Sequence, residues 1–280
     1  ADGAALLESI PAPTAANLPA GVSNELNAQV LRIGLLGRRT AELHLALASS
    51  SSNPDFAPEP FTPAYRESLE SSLHDLTVRN FSLLRARSAG LPEAMRQTAR
   101  ATLELEENVL LTFHAALEKE IAAVRTRIHG DYHLGQVLST GLDFMIIDFE
   151  GEPARSLSER RAKRSPLQDV AGMLRSFHYA ARSATQAAAN NMNHGARFAA
   201  PLKCFADLWQ SAVSASFLEE YRKTAQAAPF LPAKPAEFDA LLRLHLLEKA
   251  IYELGYELNN RPAWLAIPLG GIEELVGART

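Results

Sequence analysis

The stretch of sequence that decides the fold is HGDYHLGQ at residues 129–136, followed by DFEG at residues 148–151. Two short apolar runs lie between these motifs, at residues 136–138 and 144–147, and the turn residues Ser139-Thr140-Gly141 separate them. Apolar runs of this length around a turn predict a pair of short strands. The sequence therefore predicts that one small β-hairpin joins the two motifs.

The chain on both sides of the hairpin is predicted to be mainly helical, because its apolar residues recur three and four positions apart. Thr62 followed by Pro63 is typical of a helix start, since proline is tolerated in the first helical turn. We expect residues 151–166 to form an exposed loop, and residues 1–22 to be a lead-in to one lobe at residues 23–280. The predicted helices lie near residues 23–48, 62–87, 92–124, 167–189, 197–226 and 236–260, and a short helix is expected to close the chain.

The composition of the chain excludes several classes of protein. Of its 280 residues, 47% are hydrophobic, so the chain can bury a core and is not intrinsically disordered. Its formal net charge of -4 gives no indication of nucleic-acid binding. No apolar run approaches the roughly 20 residues that cross a bilayer, and the N-terminus lacks the pattern of a signal peptide. With Cys204 as its one cysteine, the chain is expected to be cytoplasmic.

The motif at residues 129–136 has the spacing of a catalytic loop for phosphoryl transfer. Protein kinases carry His-Arg-Asp, four further residues and Asn, and Asp131 and Gln136 have that separation here. Asp148 follows the hairpin at the place of the metal-binding Asp in those enzymes. Phosphoryl transfer requires an oriented acceptor hydroxyl and neutralised phosphate oxygens. We therefore expect Asp131 to accept or orient the acceptor proton, and Asp148 and Gln136 to supply oxygen ligands to Mg²⁺.

We assign His129, together with Asp131, to the candidate catalytic residues. His129 is expected to shape the loop by hydrogen bonding rather than to react. Taken singly, a Gly-Asp pair is more often a turn, and Asp148 after an apolar strand can cap a helix. The combined spacing favours the phosphotransferase. His129, Asp131 and His133 also fit the Gly-Asp-x-His of metallophosphoesterases. Those enzymes need an Asp-x-His before this motif and an Asn-His-Asp or Asn-His-Glu after it. For the later motif, the sequence offers Asn193-His194-Gly195, which is a poor substitute.

Beyond these motifs, the chain resembles the maltokinases, including those fused to bacterial trehalose synthases. The resemblance extends over most of the chain from residue 30 onward and is therefore highly specific. It is carried by the segments at residues 36–47, 56–61, 127–138, 147–153, 169–177 and 247–262.

This resemblance implies a fold, an activity and a set of binding residues. The fold is mainly α, the C-terminal lobe of a protein-kinase-like, aminoglycoside phosphotransferase-like fold, with a small β-hairpin insert that carries the catalytic loop. The activity is phosphorylation of the anomeric hydroxyl of maltose, with ATP and Mg²⁺, to maltose 1-phosphate. The implied substrate-binding residues are His133, Glu150, Lys249, Tyr252, Glu253 and Tyr256.

Four of these substrate-binding residues have a spacing that can be checked in the sequence itself. Lys249, Tyr252, Glu253 and Tyr256 fall at i, i+3, i+4 and i+7, which is one face of a helix. Aromatic rings beside hydrogen-bonding side chains suit a carbohydrate. The alternative is a surface Lys–Glu pair beside two core tyrosines.

The lobe that clamps ATP in protein kinases is expected to be absent from this chain. That lobe supplies a glycine-rich cover and a strand lysine. Residues 1–128 are predicted to be helical, contain no Gly-x-Gly-x-x-Gly and have Lys119 as their one lysine. We therefore expect a C-terminal lobe that can bind maltose but is inactive alone.

The expected partners are a sugar such as maltose and, where the parent protein is a fusion, a trehalose synthase domain. No nucleic-acid or membrane partner is expected. Two alternative functions stay open: a related phosphotransferase acting on another sugar or an aminoglycoside, and a non-catalytic domain of a trehalose synthase fusion.

Overall fold

A computed structural model describes residues 20–191 and 195–277 of the chain, and these residues are mainly helical. The helices are α1 (Ala20–Leu47), α2 (Pro63–Arg87), α3 (Glu93–Glu104), α4 (Glu106–Leu117), α5 (Leu157–Arg161), α6 (Leu167–Asn191), α7 (Gly195–Thr224), α8 (Pro235–Asn260) and α9 (Ala266–Gly277). Short 3₁₀ turns lie at Ser88–Gly90, Leu134–Gln136 and Pro262–Trp264. The strands are β1 (Glu59–Pro60), β2 (Val124–Arg125), β3 (Val137–Ser139) and β4 (Phe144–Ile146).

The chain folds as two compact units, each built from two separate segments. Within the described residues, one unit combines residues 20–59 with residues 124–231, and the other combines residues 60–123 with residues 232–277. The first unit contains α1, the β3–β4 hairpin and α5 to α7. The second unit contains α2 to α4, α8 and α9. Both sequence motifs therefore belong to the first unit.

The core of the first unit forms where α1 and α6 pack on α7. Glycine allows α1 to approach α7 closely, since a Cβ atom on Gly37 would lie 2.2 Å from the carbonyl oxygen of Phe217. One turn earlier, a Cβ atom on Gly34 would lie 2.6 Å from the Ser216 hydroxyl, which donates to the Val30 carbonyl. The residues that this crossing buries completely include Leu36, Phe177, Phe217 and Tyr221.

The second unit is built on α8, which contacts α2, α4 and α9. Thr62 caps α2 by accepting a hydrogen bond from the Tyr65 amide, and Pro63 is the first helical residue, as the sequence predicts. Asn80 on α2 donates to the Ile251 carbonyl on α8, and a Cβ atom on Gly255 would lie 2.3 Å from the Asn80 amide oxygen. The absence of a side chain at Gly255 therefore leaves the space that the buried Asn80 side chain occupies.

The hairpin between the motifs is confirmed. β3 and β4 pair antiparallel, with Val137 opposite Ile146 and Ser139 opposite Phe144. The mainly helical body is confirmed as well, including the helices predicted near residues 62–87, 167–189, 197–226 and 236–260 and the short helix that closes the chain. None of the described helices has the combined length and apolar character that a membrane span requires.

Three boundaries differ from the prediction. Helix α1 is already helical at Ala20, so Ser23 is not its N-cap, and most of the predicted lead-in lies outside the described residues. The helix predicted at residues 92–124 divides at Leu105 and ends at Leu117. It ends there because the Arg66 guanidinium binds the carbonyls of Leu117 and Lys119, at 2.6 and 2.7 Å, in place of the amides of a further helical turn.

The segment at residues 151–166 is not a loop throughout. Ser156 and Glu159 form a capping box that starts α5, and the Ser-x-x-Glu pattern in the sequence was the signal for it. Lys163 is buried because its ammonium group binds Glu59 at 2.7 Å and the Pro54 carbonyl at 2.6 Å. Lys163, expected from the sequence to be in an exposed loop, thus connects this segment to residues 54–59.

We expect Gly37→Ala to destabilise the protein. An added Cβ would clash with the backbone of Phe217, which cannot move aside as a flexible side chain can. Overpacking of this kind costs about 1–3 kcal/mol. The gain in helix propensity from Gly to Ala, about 1 kcal/mol, does not offset a displaced helix. Urea unfolding of the two proteins gives the difference. Gly21→Ala in the same helix is the matched control, because open space surrounds Gly21, and its stability should be unchanged or slightly higher. Equal effects of both substitutions would contradict the close approach.

Candidate active site

A buried carboxylate on α6 holds the backbone of the first motif. Asp169 is 2% exposed, and its two oxygens accept hydrogen bonds from the amides of His129 at 2.7 Å and Gly130 at 2.9 Å. A third partner, His44 on α1, lies 3.1 Å from the same Asp169 oxygen that His129 uses. The turn that presents Asp131 is therefore fixed by contacts with two helices of the first unit.

The imidazole of His129 links the first motif to the second. Its Nε2 atom lies 2.8 Å from the Ile147 carbonyl, which can only accept, so this nitrogen carries the hydrogen. Its Nδ1 atom then accepts from the Asp131 amide at 3.4 Å. The ring also packs between Tyr132 and Phe149, at centroid distances of 5.3 and 5.1 Å. With both nitrogens engaged, His129 is placed to shape the loop.

Positive φ angles occur where the two motifs meet. Gly130 has a φ of 86° and Gly151 a φ of 76°, and a Cβ atom on Gly130 would lie 3.5 Å from the Gly151 Cα. Asp148 also has a positive φ, of 65°, which a residue with a Cβ adopts at an energetic cost. Such strained residues are concentrated at functional sites. The geometry thus singles out Asp148 independently of its place in a motif.

The hairpin brings Gln136 and Asp148 together. Gln136 precedes β3 and Asp148 follows β4, and the ladder continues past the strands through a bond from the Ile147 amide to the Gln136 carbonyl at 3.0 Å. The Gln136 side-chain amide donates to an Asp148 carboxylate oxygen at 2.8 Å. The two side chains are therefore in contact through the Gln136 amide nitrogen, and a half-turn of the amide group would present its oxygen on the same side as the carboxylate.

This pair fits the way in which Mg²⁺ is usually bound. Mg²⁺ takes one or two protein carboxylates and fills its octahedral shell with water and substrate phosphates, rather than using a cage made by protein alone. Within residues 20–191 and 195–277, no group of three or more His, Cys, Asp or Glu side chains is arranged to hold a metal ion. Asn193 and His194, which the metallophosphoesterase alternative would use, lie outside the described residues.

Asp131 and His133 lie side by side in the loop. The His133 Nε2 atom is 3.8 Å from the Asp131 carboxylate, while Nδ1 accepts from the Gly135 amide at 3.0 Å and so starts the 3₁₀ turn. The Asp131 side chain is 17% exposed, so it is accessible to a hydroxyl group although it is partly buried. Gly172 on α6 allows the close approach of this loop, since a Cβ atom there would lie 2.6 Å from the Tyr132 carbonyl oxygen.

Helix α1 clamps the far end of the hairpin. The Arg39 guanidinium donates two parallel hydrogen bonds to the Asp143 carboxylate, both at 2.8 Å. Arg32 donates to the Ser139 hydroxyl at 2.6 Å, and its guanidinium lies 5.6 Å from the centroid of the Phe144 ring. Because Gln136 and Asp148 flank the two strands, these contacts also constrain the candidate metal ligands.

A second polar bond joins α1 to the loop at residues 129–136. The Thr40 hydroxyl donates to the Leu36 carbonyl at 2.8 Å and lies 2.8 Å from the Tyr132 hydroxyl, which is therefore the donor of the pair. Burial raises the pKa of the Tyr132 phenol, so this donor keeps its proton. Sequence reasoning missed Thr40, His44 and Arg39 because their partners are distant in the chain, and a helical pattern gives no indication of them.

The other predicted substrate-binding residues are placed differently. Glu150 is exposed in the first unit, next to the motif glycine. Lys249, Tyr252, Glu253 and Tyr256 all lie on α8, in the second unit. The Lys249 ammonium is 5.0 Å from the centroid of the Tyr252 ring. Glu253 is 8% exposed and Tyr256 is 45% exposed, which contradicts the alternative of a surface Lys–Glu pair beside two core tyrosines. The sugar-binding role of the four stays a prediction.

The chain is similar in sequence to known phosphotransferases. The sequence profile of the phosphotransferase enzyme family matches residues 2–201. A glucosamine kinase from Streptacidiphilus jiangxiensis is 25% identical over 246 residues, which cover 87% of this chain and 49% of that protein. A glucosamine kinase from Mycolicibacterium smegmatis is 26% identical over 153 residues, covering 54% of this chain and 35% of that protein.

Solved glucosamine kinase structures share the fold. One, in complex with glucosamine, ADP and inorganic phosphate, superposes with a TM-score of 0.66 at 22% identity and covers 98% of this chain and 57% of that one. Another crystal form gives a TM-score of 0.67, with 100% of this chain and 60% of that chain covered. The chain thus spans half or less of the length of these two curated relatives, and about three fifths of the solved chains.

The Arg39–Asp143 clamp predicts a shifted titration. Hydrogen bonds from Arg39, and then from the Phe144 amide, lower the pKa of Asp143 to about 2 from its ordinary value of 3.8. The folded-state pKa is depressed, so the contribution of this carboxylate to stability is complete above pH 3.8 and is lost as the pH falls towards 2. We expect Arg39→Gln to return the pKa of Asp143 towards 3.8, as measured by NMR titration of its carboxyl carbon.

Glu159 is the internal control for this titration, because hydrogen bonds from Ser156 rather than from Arg39 lower its pKa. Its titration should be the same in both proteins. An unchanged Asp143 titration in the Arg39→Gln variant would show that the clamp does not form.

Proposed function

This chain belongs to the phosphotransferase enzyme family, and on that premise we propose that it carries the acceptor and metal half of a kinase that transfers phosphate from ATP to the anomeric hydroxyl of maltose. The observation that carries the proposal is the contact between Gln136 and Asp148, together with the anchored backbone of the loop that contains Asp131. The residues that contact ATP from the opposite side in kinases would come from a nucleotide-clamping lobe joined to this chain.

The proposed chemistry needs little from the protein beyond position and charge. Asp131 accepts or orients the proton of the attacking hydroxyl, and its anchored backbone sets where that oxygen sits. Asp148 and Gln136 supply oxygens to Mg²⁺, which when bound neutralises charge on the phosphate oxygens. His129 holds the two motifs at a fixed separation. His133 and Glu150, next to these groups in sequence, are proposed to contact the acceptor.

Maltose is proposed as the acceptor because six segments of the sequence resemble the maltokinases, and because α8 combines aromatic rings with charged side chains that suit a carbohydrate. Lys249, Tyr252, Glu253 and Tyr256 are the proposed sugar-binding residues on that helix. Glucosamine is the second candidate, since the relatives found at 25% and 26% identity are named glucosamine kinases. The two sugars differ in size and in the amino group, so an acceptor assay separates them clearly.

The catalytic part of the proposal is tested by Asp131→Asn in a longer protein that joins this chain to a nucleotide-clamping lobe. Asparagine keeps the shape of the side chain but cannot accept a proton, so we expect kcat to fall about 10²–10⁴-fold. Phosphorus NMR of the sugar phosphate and a coupled ADP assay measure the change. Asp75→Asn is the matched control, because its side chain is 76% exposed on α2 and lies outside the proposed site.

Two outcomes would contradict the proposal. Transfer of phosphate by Asp131→Asn at the wild-type rate would remove Asp131 from the mechanism. A second contradicting outcome concerns the longer protein without the substitution. If a folded sample of it, with Mg²⁺ and ATP, fails to phosphorylate maltose, glucosamine or any aminoglycoside, a non-catalytic domain is favoured instead.

We expect the 280-residue chain alone to bind maltose but to transfer little phosphate. The proposed sugar-binding residues all belong to this chain, whereas Lys119 is the one lysine before His129 and no glycine-rich phosphate loop occurs in its sequence. Titration calorimetry with maltose, with glucosamine and with sucrose as a control disaccharide measures the first part. Heat with glucosamine and none with maltose would reassign the acceptor, and rapid transfer by the chain alone would refute the second part.

A further inference from the structure

We propose that His44 is a positioning residue of the catalytic loop, which acts through Asp169 to hold the peptide groups that aim Asp131. This inference rests on the proposed phosphotransferase function, because it assigns His44 to the orientation of that site. His44 lies on α1, 85 positions before His129 in the sequence, and belongs to neither motif.

His44 is fully buried and both ring nitrogens have partners. Its Nε2 atom lies 3.1 Å from an Asp169 carboxylate oxygen, and its Nδ1 atom lies 2.9 Å from the Tyr221 hydroxyl. An ionised carboxylate can only accept, so Nε2 carries a hydrogen. In the neutral ring, Nδ1 then accepts from Tyr221, and burial keeps that hydroxyl protonated because it raises the pKa of the Tyr221 phenol. The hydrogen on Nε2 is thereby directed at Asp169.

The bond from His44 affects the catalytic loop because His44 and the loop amides bind the same carboxylate, that of Asp169. The carboxylate oxygen that accepts from His44 also accepts from the His129 amide at 2.7 Å, while the other oxygen accepts from the Gly130 amide at 2.9 Å. Those two amides belong to the 128–129 and 129–130 peptide planes, which lead into Asp131. A buried carboxylate with three donors has its charge satisfied and its rotamer fixed, whereas the loss of one donor leaves part of that charge unpaired.

Helix α1 can deliver this bond because it is held rigidly on α7. Gly34 and Gly37 permit the close crossing of the two helices, and Thr40 binds the Tyr132 hydroxyl one turn before His44. The His44 ring also meets Tyr221 and Phe230 edge to face, at centroid distances of 5.6 and 6.2 Å. A side chain packed on three sides has one orientation, so its hydrogen is aimed at Asp169 before any substrate arrives.

A core histidine that merely fills space is the alternative, and substitution separates the two roles. His44→Gln keeps an amide hydrogen for Asp169 and an oxygen for Tyr221. His44→Leu keeps apolar bulk but removes both. Tyr221→Phe removes the bond to Nδ1 while leaving the His44–Asp169 contact, so it is the matched control for lost stability without a lost donor.

The first measurement is hydrogen exchange of the His129 and Gly130 amides by NMR in the 280-residue chain, relative to the Met173 amide inside α6. We expect His44→Leu to speed exchange of the two loop amides by about tenfold or more relative to Met173, the effect of losing one bond to a buried charge. His44→Gln and Tyr221→Phe should stay within about threefold of wild type. Equal acceleration in His44→Leu and Tyr221→Phe would overturn the proposal.

The second measurement is the kinetics of the same variants in a protein that also contains a nucleotide-clamping lobe. We expect His44→Leu to lower kcat about tenfold or more with little change in the KM for sugar, and His44→Gln to restore most of it. A structural role alone would lower the amount of folded enzyme without this split. An inactive wild-type protein would refute the proposed function, while the exchange result would still decide whether His44 holds the loop.

Discussion

The site depends on one buried carboxylate. Asp169 accepts from two consecutive backbone amides of the catalytic loop and lies against a histidine from another helix. A charge at 2% exposure is tolerated only when hydrogen bonds replace the water it has lost, and here backbone groups supply most of them. The turn at Gly130 and the carboxylate therefore stabilise each other. That arrangement fixes the backbone that leads into Asp131.

The second constraint is the register of the hairpin. Side chains on a strand alternate between faces, so a shift of one residue would turn every one of them over. The bond between Ile147 and Gln136 extends the ladder, and the His129 ring binds the carbonyl of the same Ile147. Arg39 and Asp143 secure the other end, where two parallel bonds make the contact directional. Two three-residue strands would be only marginally stable in isolation. The contact with helix α1 at the turn of the hairpin stabilises their pairing.

The sequence predicted the hairpin because its signal is local, a turn between two short apolar runs. The structure adds that Gln136 and Asp148, the two predicted metal ligands, are in contact at the ends of this hairpin. The same local logic predicted α2, where Thr62 and Pro63 give a strong start. It failed at Leu117, where an arginine 51 residues earlier ends the helix, and at α5, where a capping box lay within a run of charged residues. Contacts such as His44 with Asp169, separated by 125 residues, have no local signature at all.

The pair Gln136 and Asp148 has a consequence for how the metal would bind. Mg²⁺ requires an octahedral shell and loses its waters reluctantly, so one carboxylate and one amide oxygen offer it little affinity by themselves. Phosphate oxygens complete such a shell and bring negative charge that one protein carboxylate does not provide. The positive φ of Asp148 keeps its carboxylate at the exposed end of the hairpin, beside Gln136, at some cost in backbone energy. Under the proposed function, metal and nucleotide should therefore bind to this site together, since each supplies charge or ligands that the other lacks.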